Sequence, residues 1–138
     1  MAVVEQIICS EASDGAISFG NHLLTSKQKV EDFPNQGDLY KVKTFKTMTK
    51  LEKNGMFLYE SVPGTSVNHF TESKDGISFW VDGVEDVQIT LGMKDDTEYE
   101  VFVSEESIGK MKTGLGGKLI ISVELAEMDE VSVKVVEK

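Results

Sequence analysis

A chain of 138 residues, 40% hydrophobic and 28% charged, can form one compact domain or two very small ones, and its composition is not that of a disordered segment. The formal net charge is -10, from 24 acidic against 14 basic residues, and every basic residue is lysine. Without arginine the chain lacks the planar donor fork suited to phosphate, carboxylate and guanine, and its negative field repels a nucleic-acid backbone, so nucleic acid is not expected as a partner.

The longest apolar runs fall far short of the ~20 residues of a membrane-spanning helix. The start MAVVEQIICSEASDG has neither a basic leader nor a full apolar segment, so no membrane partner or signal peptide is expected and the reading is cytoplasmic. Cys9 is the single cysteine, which excludes an intrachain disulfide and a multi-thiolate zinc site and favours a reducing compartment. Flanked by Val3, Val4, Ile7 and Ile8, it reads as a small buried apolar residue.

Taken in chain order, short runs rich in Val, Ile, Phe and Tyr predict strands over 3–9, 16–19, 39–45, 56–62, 67–72, 77–82, 87–93, 98–104, 118–125 and 131–137. Asp-Gly at 14 and 75, Asn-Gly at 54, Pro-Gly at 63 and Gly-Gly at 116 punctuate them, because glycine and asparagine accept the positive φ of tight turns. The stretch 22–33 is open between a two-turn helix carrying Leu23, Val30 and Phe33 on one face and a strand with a loop. Lys41, Lys43, Lys46, Lys50 and Lys53 mark a solvated strand face that discourages edge pairing.

Three echoes recur at an offset of about sixty residues. Asp14-Gly15-Ala16-Ile17-Ser18-Phe19 matches Asp75-Gly76-Ile77-Ser78-Phe79, Tyr40-Lys41-Val42 matches Tyr99-Glu100-Val101, and Gly55 leading to Ser61-Val62 matches Gly117 leading to Ser122-Val123. Duplication accounts for the constant spacing, and ordinary reuse of turn and strand chemistry is the alternative. The expected fold is all-β, an antiparallel, Ig-like β-sandwich of two similar halves packed together, 1–62 and 63–138, with Pro63-Gly64 at the corner between them.

Alternation places Ile77, Phe79 and Val81 on one face and Ser78, Trp80 and Asp82 on the other. Likewise Tyr99, Val101 and Val103 oppose Glu100, Phe102 and Ser104, and Leu119, Ile121 and Val123 oppose Ile120 and Ser122. Trp80, Phe102 and Ile120 are therefore apolar residues on otherwise polar faces. Another protein surface or a second copy could cover the indole. So could a sugar lying on the ring while Ser78 or Asp82 bonds its hydroxyls, and a rim residue without a role is the third reading.

Most catalytic constellations find no support. Gly114-Leu115-Gly116-Gly117-Lys118 is no phosphate loop, because Leu119 replaces the required Ser or Thr and a strand follows. His22 and His69 form no local metal motif, and the acids at 82, 85 and 86 and at 95, 96 and 98 lack calcium-loop spacing, so neither metal nor cofactor is expected. No GxSxG elbow is present, although a spatial Ser-His-Asp group or carboxylate pair stays open.

Asp75-Gly76-Ile77-Ser78-Phe79, then 97–103, Gly116-Gly117-Lys118-Leu119 and Val131-Ser132-Val133-Lys134-Val135 resemble Ig-like β-sandwich modules of polysaccharide-active enzymes. With 37–45 and 59–65, the whole chain resembles a group of small uncharacterised proteins of Gram-positive anaerobes, some carrying the label endosialidase. The residues do not support that activity: sialidases grip the sugar carboxylate with clustered arginines, and this chain has none, nor their Asp-box motif.

The expectation is a non-catalytic binding or assembly module. Trp80 and Phe102, with Ser78, Asp82 and Glu100 around them, would meet another protein or a second copy in a homo-oligomer, and a carbohydrate-binding module holding a glycan there is the alternative. An enzyme acting on a saccharide through unidentified carboxylates, with His69 beside Phe70, is the competing class.

Overall fold

The computed structural model describes residues 3–11, 15–126 and 130–138. The described residues hold thirteen strands and no helix: β1 (Ile8–Ser10), β2 (Ile17–Phe19), β3 (Gln28–Asn35), β4 (Asp38–Phe45), β5 (Met48–Lys53), β6 (Met56–Val62), β7 (Ser66–Ser73), β8 (Gly76–Asp82), β9 (Val87–Gly92), β10 (Glu98–Val103), β11 (Glu106–Lys112), β12 (Lys118–Val123) and β13 (Val131–Glu137). They form two antiparallel sheets, ordered β1-β2-β7-β8-β13-β10-β11 (sheet A) and β12-β9-β6-β5-β4-β3 (sheet B), packed as a β-sandwich. The all-β, antiparallel sandwich expected from the sequence is the one observed.

Strands from both sides of Val62 are mixed in each sheet: β2 pairs with β7 in sheet A, and β6 with β9 in sheet B. Of the echoed segments, β2 and β8 share sheet A and β6 and β12 share sheet B, whereas β4 and β10 lie in different sheets. Asp14 of the first echo is outside the described residues. The chain passes from sheet B to sheet A at Val62-Pro63, a cis peptide bond, so the corner expected there is a crossover.

The open segment 22–33 contains no helix; β3 occupies its second part and continues to Asn35 as an edge strand. Two strands have no counterpart in the sequence reading. β5 turns only Thr49 and Leu51 into the interior, and β11 is an almost wholly exposed edge, so neither shows an apolar alternation. Within the run 3–9, only Ile8 and Cys9 enter a strand, because Ile7 adopts φ 60 and breaks the extended backbone. The two-residue loops Gln36-Gly37 and Asn54-Gly55 have positive φ at both central residues, the mirror-image turn that matches strand twist.

The predicted inward sets Ile77/Phe79/Val81 and Leu119/Ile121/Val123, with Tyr99 and Val101, are buried; Val103 is half-buried. Between the sheets, Phe19, Phe70 and Phe79 of sheet A meet Tyr59 of sheet B, with ring centroids 5.2 to 5.7 Å apart for Phe19–Tyr59, Phe19–Phe70, Tyr59–Phe79 and Phe70–Phe79. Most cross edge-to-face, the arrangement the ring quadrupole prefers.

Beside this cluster runs a buried chain of hydroxyls. Thr49 Oγ1 donates to the Thr65 carbonyl (2.8 Å) and accepts from the Thr65 amide (3.1 Å), so Thr44 must supply the proton in the 2.8 Å Thr44–Thr49 contact. Thr44 in turn accepts from the Asn21 amide at 2.9 Å. Thr65 Oγ1 lies 2.7 Å from the Tyr59 hydroxyl and 2.8 Å from Ser61 Oγ. The network ties β4, β5 and β6 to the residue that follows the crossover.

His22 extends the polar interior: its Nδ1 lies 2.7 Å from Ser66 Oγ, and burial lowers its pKa below the ordinary 6.5, opposed in part by the charge of Asp82. The folded protein thus resists protonation that the unfolded chain accepts. Stability is fully present above about pH 6.5 and falls as the pH drops below it. Urea unfolding from pH 8 to pH 5 is expected to show this loss, and His22→Gln should flatten that part of the profile while leaving the carboxylate-driven loss at lower pH.

Candidate functional site

The outer face of sheet A is built by register. Phe102 on β10 pairs with Lys134 on β13, Lys134 with Ser78 on β8, and Ser78 with Thr71 on β7. In the next row Ser132, Trp80 and Asn68 stand side by side. Inward burial of Phe79 and Val81 forces Trp80 outward, where it is 44% exposed. Trp80 and Phe102 are two strands and two residues apart, about 12 Å by ordinary strand spacing and rise, with Lys134 between them.

These side chains, Asn68 excepted, line an open concavity of about 550 Å³, with His69 and Glu105 at its margins. Both margins are set by unusual backbone. His69 has φ 54 at a bulge in β7, where the register with β8 shifts between Asn68 and Thr71, and its amide is held by Ser18 Oγ at 3.1 Å. Ser104 and Glu105 form the β10–β11 turn with φ 53 and 70, a conformation usually given to Asn-Gly. Left-handed residues of this kind cost of order 1–3 kcal/mol each and concentrate at functional sites.

Of the five residues expected at the site, Trp80, Phe102 and Ser78 line the concavity. Asp82 and Glu100 share the face but not the lining. Asp82 pairs with Ser66 one row beyond Trp80, and Glu100 pairs with Val136 on the other side of Phe102. Ser107 Oγ donates to Glu100 at 2.7 Å and Lys138 Nζ lies 3.2 Å from it, which together hold this carboxyl below its ordinary pKa. Sequence reasoning singled out Trp80 but missed Lys134, Ser132, Thr71 and Glu105, because only cross-strand register brings them beside it. Ile120, the third stranded apolar residue, lies on the other sheet.

Ser66 and His22, with Asp82 acting on the imidazole, have the residue types of a hydrolytic triad, but Ser66 and His22 are both buried. Cys9 is half-buried rather than buried, and burial, with the charge of Glu11, raises its thiol pKa and disfavours the thiolate. Asp86 accepts the Leu125 and Ala126 amides at 3.0 and 3.2 Å, a loop-fixing role. Among the described residues no three His, Cys, Asp or Glu side chains gather as a metal-ligand set.

The lysines at 41, 43, 50 and 53 are on β4 and β5, interior strands of sheet B, so they guard no sheet edge; Lys41 meets Glu31 at 3.5 Å and Lys50 meets Glu52 at 3.7 Å. Comparison with protein-family models, curated proteins and solved structures returns no match.

Proposed function

We propose that this protein is a non-catalytic β-sandwich recognition module that holds a saccharide against Trp80 on the outer face of sheet A. The observation that carries the reading is an exposed indole set in a concavity among Ser78, Ser132, Thr71 and Lys134. An aromatic plane receives the C–H face of a sugar ring, and the surrounding donors and acceptors bond its hydroxyls. The volume suits a small polar ligand, and the alternation of aromatic and polar groups suits it better than the continuous apolar core of a protein interface.

Glu105 is the one carboxylate among the lining residues, so the lining does not supply the carboxylate pair of a glycoside hydrolase. A protein surface anchored on Trp80, including a second copy, is the alternative occupant of this face. A glycan array is expected to retain the wild type, and Trp80→Ala to lose about 2 kcal/mol of binding, roughly thirtyfold in affinity, with an unchanged melting temperature. Absence of wild-type retention across the array, or retention unaffected by Trp80→Ala, would overturn the saccharide reading. Loss of oligomeric mass in Trp80→Ala would favour the protein occupant.

A further inference from the structure

The sandwich has four strand edges, and three carry a feature that blocks pairing with another chain. β1 is three residues long and is stitched to β3 by Asn35, which accepts from Ser10 Oγ at 2.9 Å and donates to the Gly15 carbonyl at 2.8 Å. β3 contains Pro34 and a bulge at Asp32, φ 57. β11 is kinked at Gly109, φ 115, opposite a register shift in β10, and carries Lys110 and Lys112.

β12 has neither proline nor bulge, and its single lysine, Lys118, stands at its first position. It pairs with β9 without a register shift from Lys118↔Gly92 to Val123↔Val87, and between Lys118 and Glu124 it reads Leu-Ile-Ile-Ser-Val with no proline, glycine or charge. Met93 donates its amide to the Gly117 carbonyl, so the odd-numbered residues bond toward β9. The backbone groups of Lys118, Ile120 and Ser122 therefore point to the open edge. Their side chains are on the exposed face, where Ile120 is 52% exposed.

We infer that β12 is a self-association edge, pairing antiparallel with β12 of a second copy to join two copies of sheet B across a two-fold axis. The inward set must stay inward in both copies, which restricts the register to same-face partners. With Ile121 at the axis, Ile120 faces Ser122 of the second copy, Leu119 faces Val123, and Lys118 faces Glu124, so opposite charges meet at both ends. The net charge of -10 opposes association, but at physiological ionic strength repulsion is screened beyond ~8 Å, whereas Lys118 and Glu124 would be in contact. Sheet A is not involved, so both concavities stay open and the inference does not rest on the saccharide reading.

Sedimentation and light scattering on the full chain test it. The wild type should have twice the 15.3 kDa chain mass, falling to monomer on dilution. Ile120→Lys and Ser122→Lys, both on the exposed face, should be folded monomers by melting temperature and mass. Lys118→Glu and Glu124→Lys should each weaken the dimer at least tenfold, and the double exchange should restore it. Trp80→Ala should leave it intact. A monomeric wild type at its highest soluble concentration, a dimer that survives both edge lysines, a charge exchange that does not restore pairing, or loss of the dimer in Trp80→Ala would each overturn the proposal.

Discussion

Replacing Phe19 by alanine is expected to remove about 3–5 kcal/mol of folding stability, the usual cost of deleting a buried aromatic side chain and leaving a cavity. Phe19 is 0% exposed and contacts Tyr59 across the sheet interface at 5.2 Å and Phe70 within its own sheet at 5.6 Å. The loss therefore falls on the packing of one sheet against the other, not on a single strand. A domain of this size has roughly 5–15 kcal/mol in total, so the variant should unfold at far lower urea concentration with a similar slope. Phe19→Leu keeps most of the volume and is expected to cost less than about 1.5 kcal/mol. If alanine cost no more than leucine, the cluster would not be what joins the sheets.

Thr65→Val should be nearly as damaging, although it changes shape very little. Thr65 Oγ1 is the common partner of the Tyr59 hydroxyl and Ser61 Oγ, and all three residues are fully buried. Removing it takes away the partner these two groups share, at about 1–3 kcal/mol per unsatisfied group; because Tyr59 and Ser61 keep a hydrogen bond to each other, the lower part of that sum, about 2–4 kcal/mol, is the loss expected in urea unfolding. Burial already raises the Tyr59 pKa, so ionisation offers the orphaned hydroxyl no relief near neutral pH. The double variant Tyr59→Phe, Thr65→Val removes both ends of that bond and should be less destabilised than the sum of the singles. Strict additivity would show the hydroxyls to be independent.

Much of the fold was legible because burial on one face of a sheet leaves a period of two in the chain. Ile77, Phe79 and Val81 could be assigned inward, and Trp80 outward, from that period alone. The buried hydroxyls could not: Thr44, Thr49, Ser61 and Thr65 look like solvent-facing residues until the partners that satisfy them are in place. β5 and β11 were illegible for a related reason. Their inward positions are few or nearly absent, and pairing with β4, β6 and β10 supplies what their side chains do not.

Composition and alternation fix the class of the protein: an acidic, arginine-free all-β chain with an aromatic residue forced to the outside of its sheet. Which residues stand beside that indole follows from strand pairing alone. Cross-strand neighbours depend on register and on bulges, which are settled by pairing between segments distant in the chain and leave no local trace. Lys134 and Ser132 reach Trp80 through β8–β13 pairing, the bulge in β7 brings His69 to the margin, and the same register carries Asp82 and Glu100 past the ends of the concavity.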